Sequence, residues 1–424
     1  MFGSKALHKT QDNHDPMTQH NNLVLCVGGR GVVILREDGL ITGHIQDRIL
    51  LEAMCRKYRR VYDIAFAYKP GDHEYDRLRR RYDFVLVADN LQYVLLRGGS
   101  TAFANKVEHL ISGIKMARAI YRSDAVVVFM PSTTGLMMTL LGFVLQTRLI
   151  LYYGSDWANS NLLTYRQVEQ HEHVSVDLKM PLRRVFQGLS YRMASLLLFR
   201  DRGIAEVMRL KGRQAAYIPG NTQFNLSAMW RKKELNLRKR SIVLLSVGNI
   251  LPNKGFHDGI KAVAHLLANG IDVRYTIAGS RNEENVNHLM QLAHDRGVSD
   301  RIEFKGFVAS PEDLRDIYRS ADLFLLPSYH EGFPRAVYEA MSQGLPVIAS
   351  RIDGLKHTFI HRQHVLFVRP GHPEDIADAV LTLVHDQALY RDLIRNGHRA
   401  VAKELASPSA SDLIEQCLQT KCNN

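Results

Sequence analysis

Short apolar runs alternate with helical periodicity along most of the chain. In the first half, Leu23–Val27, Val61–Ala67, Phe84–Ala88, Ala125–Phe129, Leu149–Tyr153, Leu196–Phe199 and Ala216–Ile218 read as strands. Gln46–Tyr58, Phe103–Arg122, Gly135–Gln146, Pro181–Met193 and Ile204–Lys211 read as the helices between them. Residues 221–240 are polar and basic with little periodicity, a domain boundary. A second alternating stretch follows: strand Val243–Val247, helix Phe256–Asn269, strands Arg274–Ala278 and Ile302–Phe304. Strand Leu323–Pro327, a helix, strand Val347–Ser350, strand Val365–Val368 and helix Pro373–His385 complete it, and Tyr390–Gln419 reads as helices. Such alternation predicts α/β architecture with parallel sheets. The expected layout is a disordered segment at 1–22, a first domain at 23–220, a linker at 221–240 and a second domain at 241–405. A helical tail at 406–424 is expected to be able to pack back on the first domain.

Length agrees with two domains, since 424 residues exceed one comfortable core. The formal net charge of +12 is unevenly spread. From Ser241 onward 19 Lys+Arg face 22 Asp+Glu, leaving 36 against 21 in residues 1–240. The first half therefore calls for an anionic partner. Basic clusters at Arg56-Lys57-Tyr58-Arg59-Arg60 and Arg77-Leu78-Arg79-Arg80-Arg81, and the helix face Lys115, Arg118, Arg122, fit a negatively charged membrane leaflet. No nucleic-acid-binding motif is present. The four cysteines, Cys26, Cys55, Cys417 and Cys422, lack metal-type pairing and suit a reducing compartment. Ala125–Tyr153 is the most apolar stretch, but Pro131 to Thr134 and Gln146 to Arg148 interrupt it, so it reads as strand, buried helix, strand. The expected location is cytoplasmic, peripheral on the inner face of the membrane.

The densest chemistry lies between Asp322 and Ser350. A strand runs into a loop with Glu331, Gly332 and Phe333; Pro334 suits a first helical position, and Gly344 and Pro346 end the helix. Backbone N–H groups there can receive an anion, with Glu331 and Glu339 as flanking carboxylates. Gly248-Asn249 and Lys254-Gly255 follow the first strand of the second half, Gly279 the next, and Gly306-Phe307 the one after. Glycine at a strand end admits close backbone approach, and lysine at a helix start can neutralise phosphate. In the first half, Asp156 follows a strand as a polar site candidate or a helix N-cap. Gly28-Gly29-Arg30-Gly31, Gly39 and Gly43 offer a glycine loop or tight turns.

Glu331-Gly332-Phe333-Pro334…Glu339-Ala340-Met341…Gly344-Leu345-Pro346-Val347 resembles the Glu-x7-Glu signature of the retaining glycosyltransferases of family 4. The resemblance implies the GT-B fold, two Rossmann-like domains with parallel sheets facing a central cleft. It implies a retaining, metal-independent, hexosyltransferase-type enzyme moving sugar from a nucleotide diphosphate sugar to a glycan or lipid-linked acceptor, as in surface-polysaccharide or cell-envelope glycan synthesis. By the same resemblance Glu331 contacts donor-sugar hydroxyls, Glu339 takes the ribose diol, and Gly332 and Phe333 give N–H groups to the distal phosphate. Lys254 holds the diphosphate; Gly248, Gly279 and Phe307 line the nucleotide; Asp156 faces the donor sugar. Asn249 stands where the family has arginine, and Tyr153 where it has histidine. Near Asp353-Gly354, Lys356-His357 replaces a family glutamate. No cofactor or metal is implied beyond the donor itself. The alternative is a non-catalytic GT-B binding or assembly partner in a polysaccharide-synthesis complex.

Overall fold

The computed structural model describes residues 21–37, 41–43, 45–72, 75, 84–85, 88–97, 105–130, 132–154, 180–218, 241–279, 283–308 and 310–420. The segment 221–240, residues 1–20, Asp156, Gly39 and the Arg77–Arg81 cluster lie outside these. Asn21 already belongs to the first strand.

The first half contains β1 (Asn21–Leu35), β2 (Ile41–Gly43), α1 (Ile45–Lys57), β3 (Tyr58–Tyr68), β4 (Phe84–Val85), β5 (Leu91–Arg97) and α2 (Asn105–Tyr121). It continues through β6 (Ala125–Met130), α3 (Thr133–Val144), β7 (Arg148–Tyr153), α4 (Met180–Met193), β8 (Leu196–Phe199), α5 (Arg202–Leu210) and β9 (Ala215–Tyr217). The second half contains β10 (Ile242–Val247), α6 (Phe256–Ala268), β11 (Val273–Ala278), α7 (Glu283–Asp295), β12 (Ile302–Gly306), α8 (Pro311–Ser320) and β13 (Leu323–Leu326). Then come α9 (Arg335–Ser342), β14 (Val347–Ser350), α10 (Asp353–Lys356), β15 (Leu366–Val368), α11 (Pro373–His385), α12 (Gln387–Leu405) and α13 (Ala410–Gln419). The class is α/β with two sheets, as expected.

By compactness the chain forms two units, Met1–Val127 with Leu140–Arg148, and Val128–Thr139 with Leu149–Asn424. In the first unit β1 pairs with β3 and β3 with β5, all parallel, while β2 runs antiparallel to both β1 and β4. The expected glycine loop after the first strand is not a loop. Gly28–Gly31 lie inside β1, where the pairing with β3 shifts register between Gly28 and Val32 and Gly29 takes φ 83°. Glycine there makes a bulge rather than a strand end. On α2, Ile111, Ile114, Lys115, Arg118 and Tyr121 are all exposed and fall on one face, and exposed Arg122 follows directly.

In the second unit β7, β8 and β9 are parallel neighbours. The expected buried helix, α3, spans the division between the units and is only partly buried, since Met137, Leu140, Phe143 and Val144 are exposed. The second sheet has the order β12-β11-β10-β13-β14-β15, with every pair parallel. Both faces are covered, so its strands are almost continuously apolar. Alternate residues sort to the two faces. Leu244, Tyr275, Ile277, Leu323 and Leu325 join a cluster with Ile260 and Val263 of α6 and Val380 and Leu383 of α11. Leu245, Phe324, Leu326, Val347 and Ala349 join one with Tyr318 of α8, Met341 of α9 and Val401 of α12. The tail helix α13 packs on β8, a strand contributed by residues before 220.

Candidate functional site

Because the second sheet is wholly parallel, the carboxyl ends of β10, β11, β12, β13 and β14 share one edge, and the loops leaving them meet there. The Gly248 N–H donates to Ala278 O at 2.9 Å, and the Gly279 N–H to Gly306 O at 2.8 Å. A Cβ on Gly279 would lie 1.7 Å from Gly248 O, so only glycine permits this approach. Gly255 has φ 66°, and a Cβ there would lie 2.1 Å from Pro327 O. These contacts draw the loops after β10, β11, β12 and β13 together. Gly354, in α10 just after β14, closes the set: a Cβ there would meet Glu331 O at 2.4 Å and Gly332 O at 2.8 Å.

Two predicted residues are brought into direct contact. Lys254, ending the short 3₁₀ turn Pro252–Lys254, places Nζ 2.9 Å from Glu331 Oε1, with both side chains mostly shielded at 19% and 13% exposure. Ser328 Oγ donates to the same carboxylate oxygen at 2.7 Å. Neighbouring bonds pin both loops. The Tyr329 N–H donates to Asn253 O at 2.9 Å, and the Tyr329 hydroxyl donates to Asp258 Oδ2 at 2.7 Å. Burial, then the Asp258 carboxylate, pushes the Tyr329 phenol well above its ordinary range.

Glu339 lies in the second turn of α9 and is only 5% exposed. The Tyr318 hydroxyl donates to its Oε2 at 3.0 Å. Burial and the adjacent Glu339 charge push the Tyr318 phenol far up, so it remains a donor at any ordinary pH. Pro334 is the N-cap of α9, and Arg335 its first helical residue, one position later than expected. The Phe333 ring stacks on Tyr338 with centroids 4.4 Å apart, which anchors the loop to the helix. Phe307, directly after β12, is 68% exposed. Asn249 is exposed in the loop after β10, and Asp353 pairs with Lys356 on α10. Among the described residues no group of three or more His, Cys, Asp or Glu is placed to hold a metal ion.

Several contacts had no local signal. Arg202 donates to Glu404 Oε1 at 2.5 Å although 202 positions separate them. The Arg202 guanidinium sits 4.6 Å from the Tyr217 ring centroid, and Tyr217 and Tyr338 hydroxyls are 3.5 Å apart. Burial pushes the Tyr217 phenol up to about 12. Ser328, Tyr329 and Tyr318 also escaped the pattern, because nothing in their spacing marks them as supports.

Residues 230–400 match the family model for glycosyl transferases group 1. A lipopolysaccharide core biosynthesis glycosyltransferase of Rhizobium meliloti (strain 1021) is 31% identical over 179 residues, covering 42% of this chain and 50% of that protein. The mannosylfructose-phosphate synthase of Agrobacterium fabrum is 33% identical over 165 residues, 37% of this chain and 36% of that protein. The matched stretch thus spans half or less of the length of these relatives. Among solved structures, sucrose-phosphate synthase from Thermosynechococcus elongatus aligns with TM-score 0.66 at 19% identity, over 95% of this chain and 99% of that one. Anabaena HepE in complex with UDP aligns with TM-score 0.65 at 17% identity, over 95% of this chain and 100% of that one. At these identities the likeness is one of fold, and the fold is GT-B.

Proposed function

We propose that this chain is a retaining GT-B glycosyltransferase that moves a sugar from a nucleotide diphosphate sugar to a glycan or lipid-linked acceptor. The observation that carries the reading is the Lys254–Glu331 pair on the strand edge where five loops converge, with buried Glu339 on the helix that follows. A donor diphosphate placed over the loop ahead of α9 would draw the Lys254 ammonium to its oxygens, with the N–H groups of Gly332 and Phe333 directed at the distal phosphate. Glu331, released, would accept hydrogen bonds from donor-sugar hydroxyls, and Glu339 from the ribose diol; an ionised carboxylate is acceptor-only and suits both tasks. Attack from the leaving-group face, with a donor phosphate oxygen taking the acceptor proton, needs positioning and charge stabilisation rather than a protein base. No metal is required in this scheme, because Lys254 and backbone dipoles meet the leaving charge. Asp156 is proposed as a polar contact to the donor sugar.

Relatives named for lipopolysaccharide core synthesis support an envelope-glycan setting, and neighbours crystallised with UDP and UDP-glucose make uridine donors the first to try. The exposed α2 face, apolar and basic together, supports peripheral attachment to an anionic membrane. No helix among the described residues is long and apolar enough to cross one. The test is transfer or donor hydrolysis from UDP-, GDP- and ADP-sugars, with and without a chelator, and with the anomeric configuration of the product read by NMR. Turnover that survives the chelator, retains configuration and disappears in Glu331→Ala supports the proposal. Binding without turnover would favour the non-catalytic alternative, for which the neutral Asn249 and the Asp353–Lys356 pair speak.

A further inference from the structure

An open cavity of about 600 Å³ lies in the second unit and shares no residue with the strand-end loops. Arg202 at the start of α5, His357 and His364 after α10, and Asn396, Arg399 and Lys403 on one face of α12 line it. Its charge is unbalanced. Glu404 is the one carboxylate in the lining, and Arg202 already holds it. The acids nearby are engaged elsewhere: Asp353 pairs with Lys356, and Asp201 accepts the Ile204 N–H as N-cap of α5. Arg399 and Lys403 are both exposed and have no carboxylate partner among the described residues. They stand four positions apart on one helix, a like-charge spacing that disfavours the free helix. This concentration of cations is local, since from Ser241 onward acidic residues outnumber basic ones by 22 to 19.

Two further features shape the wall. Glu404 is only 8% exposed, and its Oε2 is closed off from the cavity, so the one carboxylate of the lining does not offset the cations facing the opening. The wall is also closely fitted: a Cβ on Gly203 would lie 2.7 Å from the His357 ring, so the start of α5 rests against the imidazole. His364 Nδ1 accepts the Ile360 N–H at 3.2 Å, which leaves Nε2 as the N–H donor of the neutral ring.

We propose that this cavity binds a phosphorylated polyhydroxyl compound, the phosphate on Arg399 and Lys403 and the hydroxyls toward Asn396 and Gln363, which also lines it. Paired cations one turn apart suit a doubly charged phosphate monoester, and neighbouring side-chain amides suit alcohols. The volume is that of a small-ligand site.

Calorimetric titration of the full chain with glucose 6-phosphate, fructose 6-phosphate, glycerol 3-phosphate, inorganic phosphate and glucose tests it. At least one phosphate ester should bind about 10-fold or more tightly than inorganic phosphate, and glucose should not bind. The double variant Arg399→Glu/Lys403→Glu, on an exposed helix face, should lose that binding while its melting temperature stays unchanged. Ester binding equal in wild type and variant would overturn the proposal, as would silence from all three esters. Capture by phosphatidic acid vesicles without any response to soluble esters would overturn it in favour of a lipid head group.

Discussion

Lys254 Nζ and Glu331 Oε1 are 2.9 Å apart, a contact between the loop after β10 and the loop after β13. Each neutralises the other, and Ser328 holds the carboxylate in place. In the proposed reaction this pair must separate, the cation going to phosphate and the carboxylate to sugar. Lys254→Met should therefore lower kcat/KM by roughly 10²–10³-fold, the loss expected for one electrostatic stabiliser of a leaving group. Steady-state transfer assays read it, with the melting temperature as a check on folding. Near-wild-type turnover would refute the role.

Gly279 and Gly270 separate steric necessity from conformational preference. Gly279→Ala places a Cβ 1.7 Å from Gly248 O and should destabilise by about 3 kcal/mol, the upper range for overpacking. Gly270 has φ +75° with nothing within 4 Å, so Gly270→Ala should cost about 1 kcal/mol. Denaturant unfolding of both variants measures the difference; equal costs would mean the loops after β10 and β11 yield easily.

Arg369 grips Asp375 with two side-chain bonds, Nε to Oδ2 at 2.8 Å and NH2 to Oδ1 at 2.7 Å. That hydrogen bonding holds the Asp375 carboxyl below its usual range. A depressed folded-state value gives stability that is present above the unfolded value and is lost as pH falls through the folded one. The window lies below about pH 4. Arg369→Met should lower the melting temperature slightly at neutral pH, where the pair is intact, and flatten the acid limb so that the two proteins converge at low pH. An identical acid limb in both proteins would contradict it.

The α2 face combines exposed Ile111 and Ile114 with exposed Lys115 and Arg118. If it meets an anionic leaflet, Lys115→Glu/Arg118→Glu removes about 1 kcal/mol per residue, so binding to phosphatidylglycerol vesicles should fall by roughly 30-fold or more. Sedimentation with sucrose-loaded vesicles reads the partition. Unchanged partitioning would remove this face from consideration.

Much of the fold was legible because buried parallel strands are near-continuous apolar runs, and β8 and α11 fell where their patterns placed them. The misses share physical causes. α8 carries five charged residues in ten, so its apolar stripe is short, although Ser310 and Pro311 gave a readable start. β1 continues through Gly28–Gly31 because a bulge absorbs glycines that read as a strand end. At the candidate site, Glu331 and Lys254 were singled out from local pattern, each beside a glycine, and Glu339 from its spacing to Glu331. Tyr318 and Tyr329 were not, because their partners Glu339 and Asp258 arrive through tertiary folding. The same holds for Arg202 and Glu404. Ser328 bonds Glu331 locally, at a spacing that marks no role by itself.

The account rests on a nucleoside diphosphate occupying the edge between Lys254 and Glu339, with Tyr318 keeping the Glu339 carboxylate oriented at 3.0 Å. Calorimetric titration with UDP, GDP and ADP, in wild type and Glu339→Gln, tests this most directly. At least one diphosphate should bind wild type, and Glu339→Gln should weaken it by about 10-fold, the loss of one charge-assisted hydrogen bond to the ribose diol. If no diphosphate binds, or if the substitution leaves the bound one untouched, the strand-end loops are not a donor site.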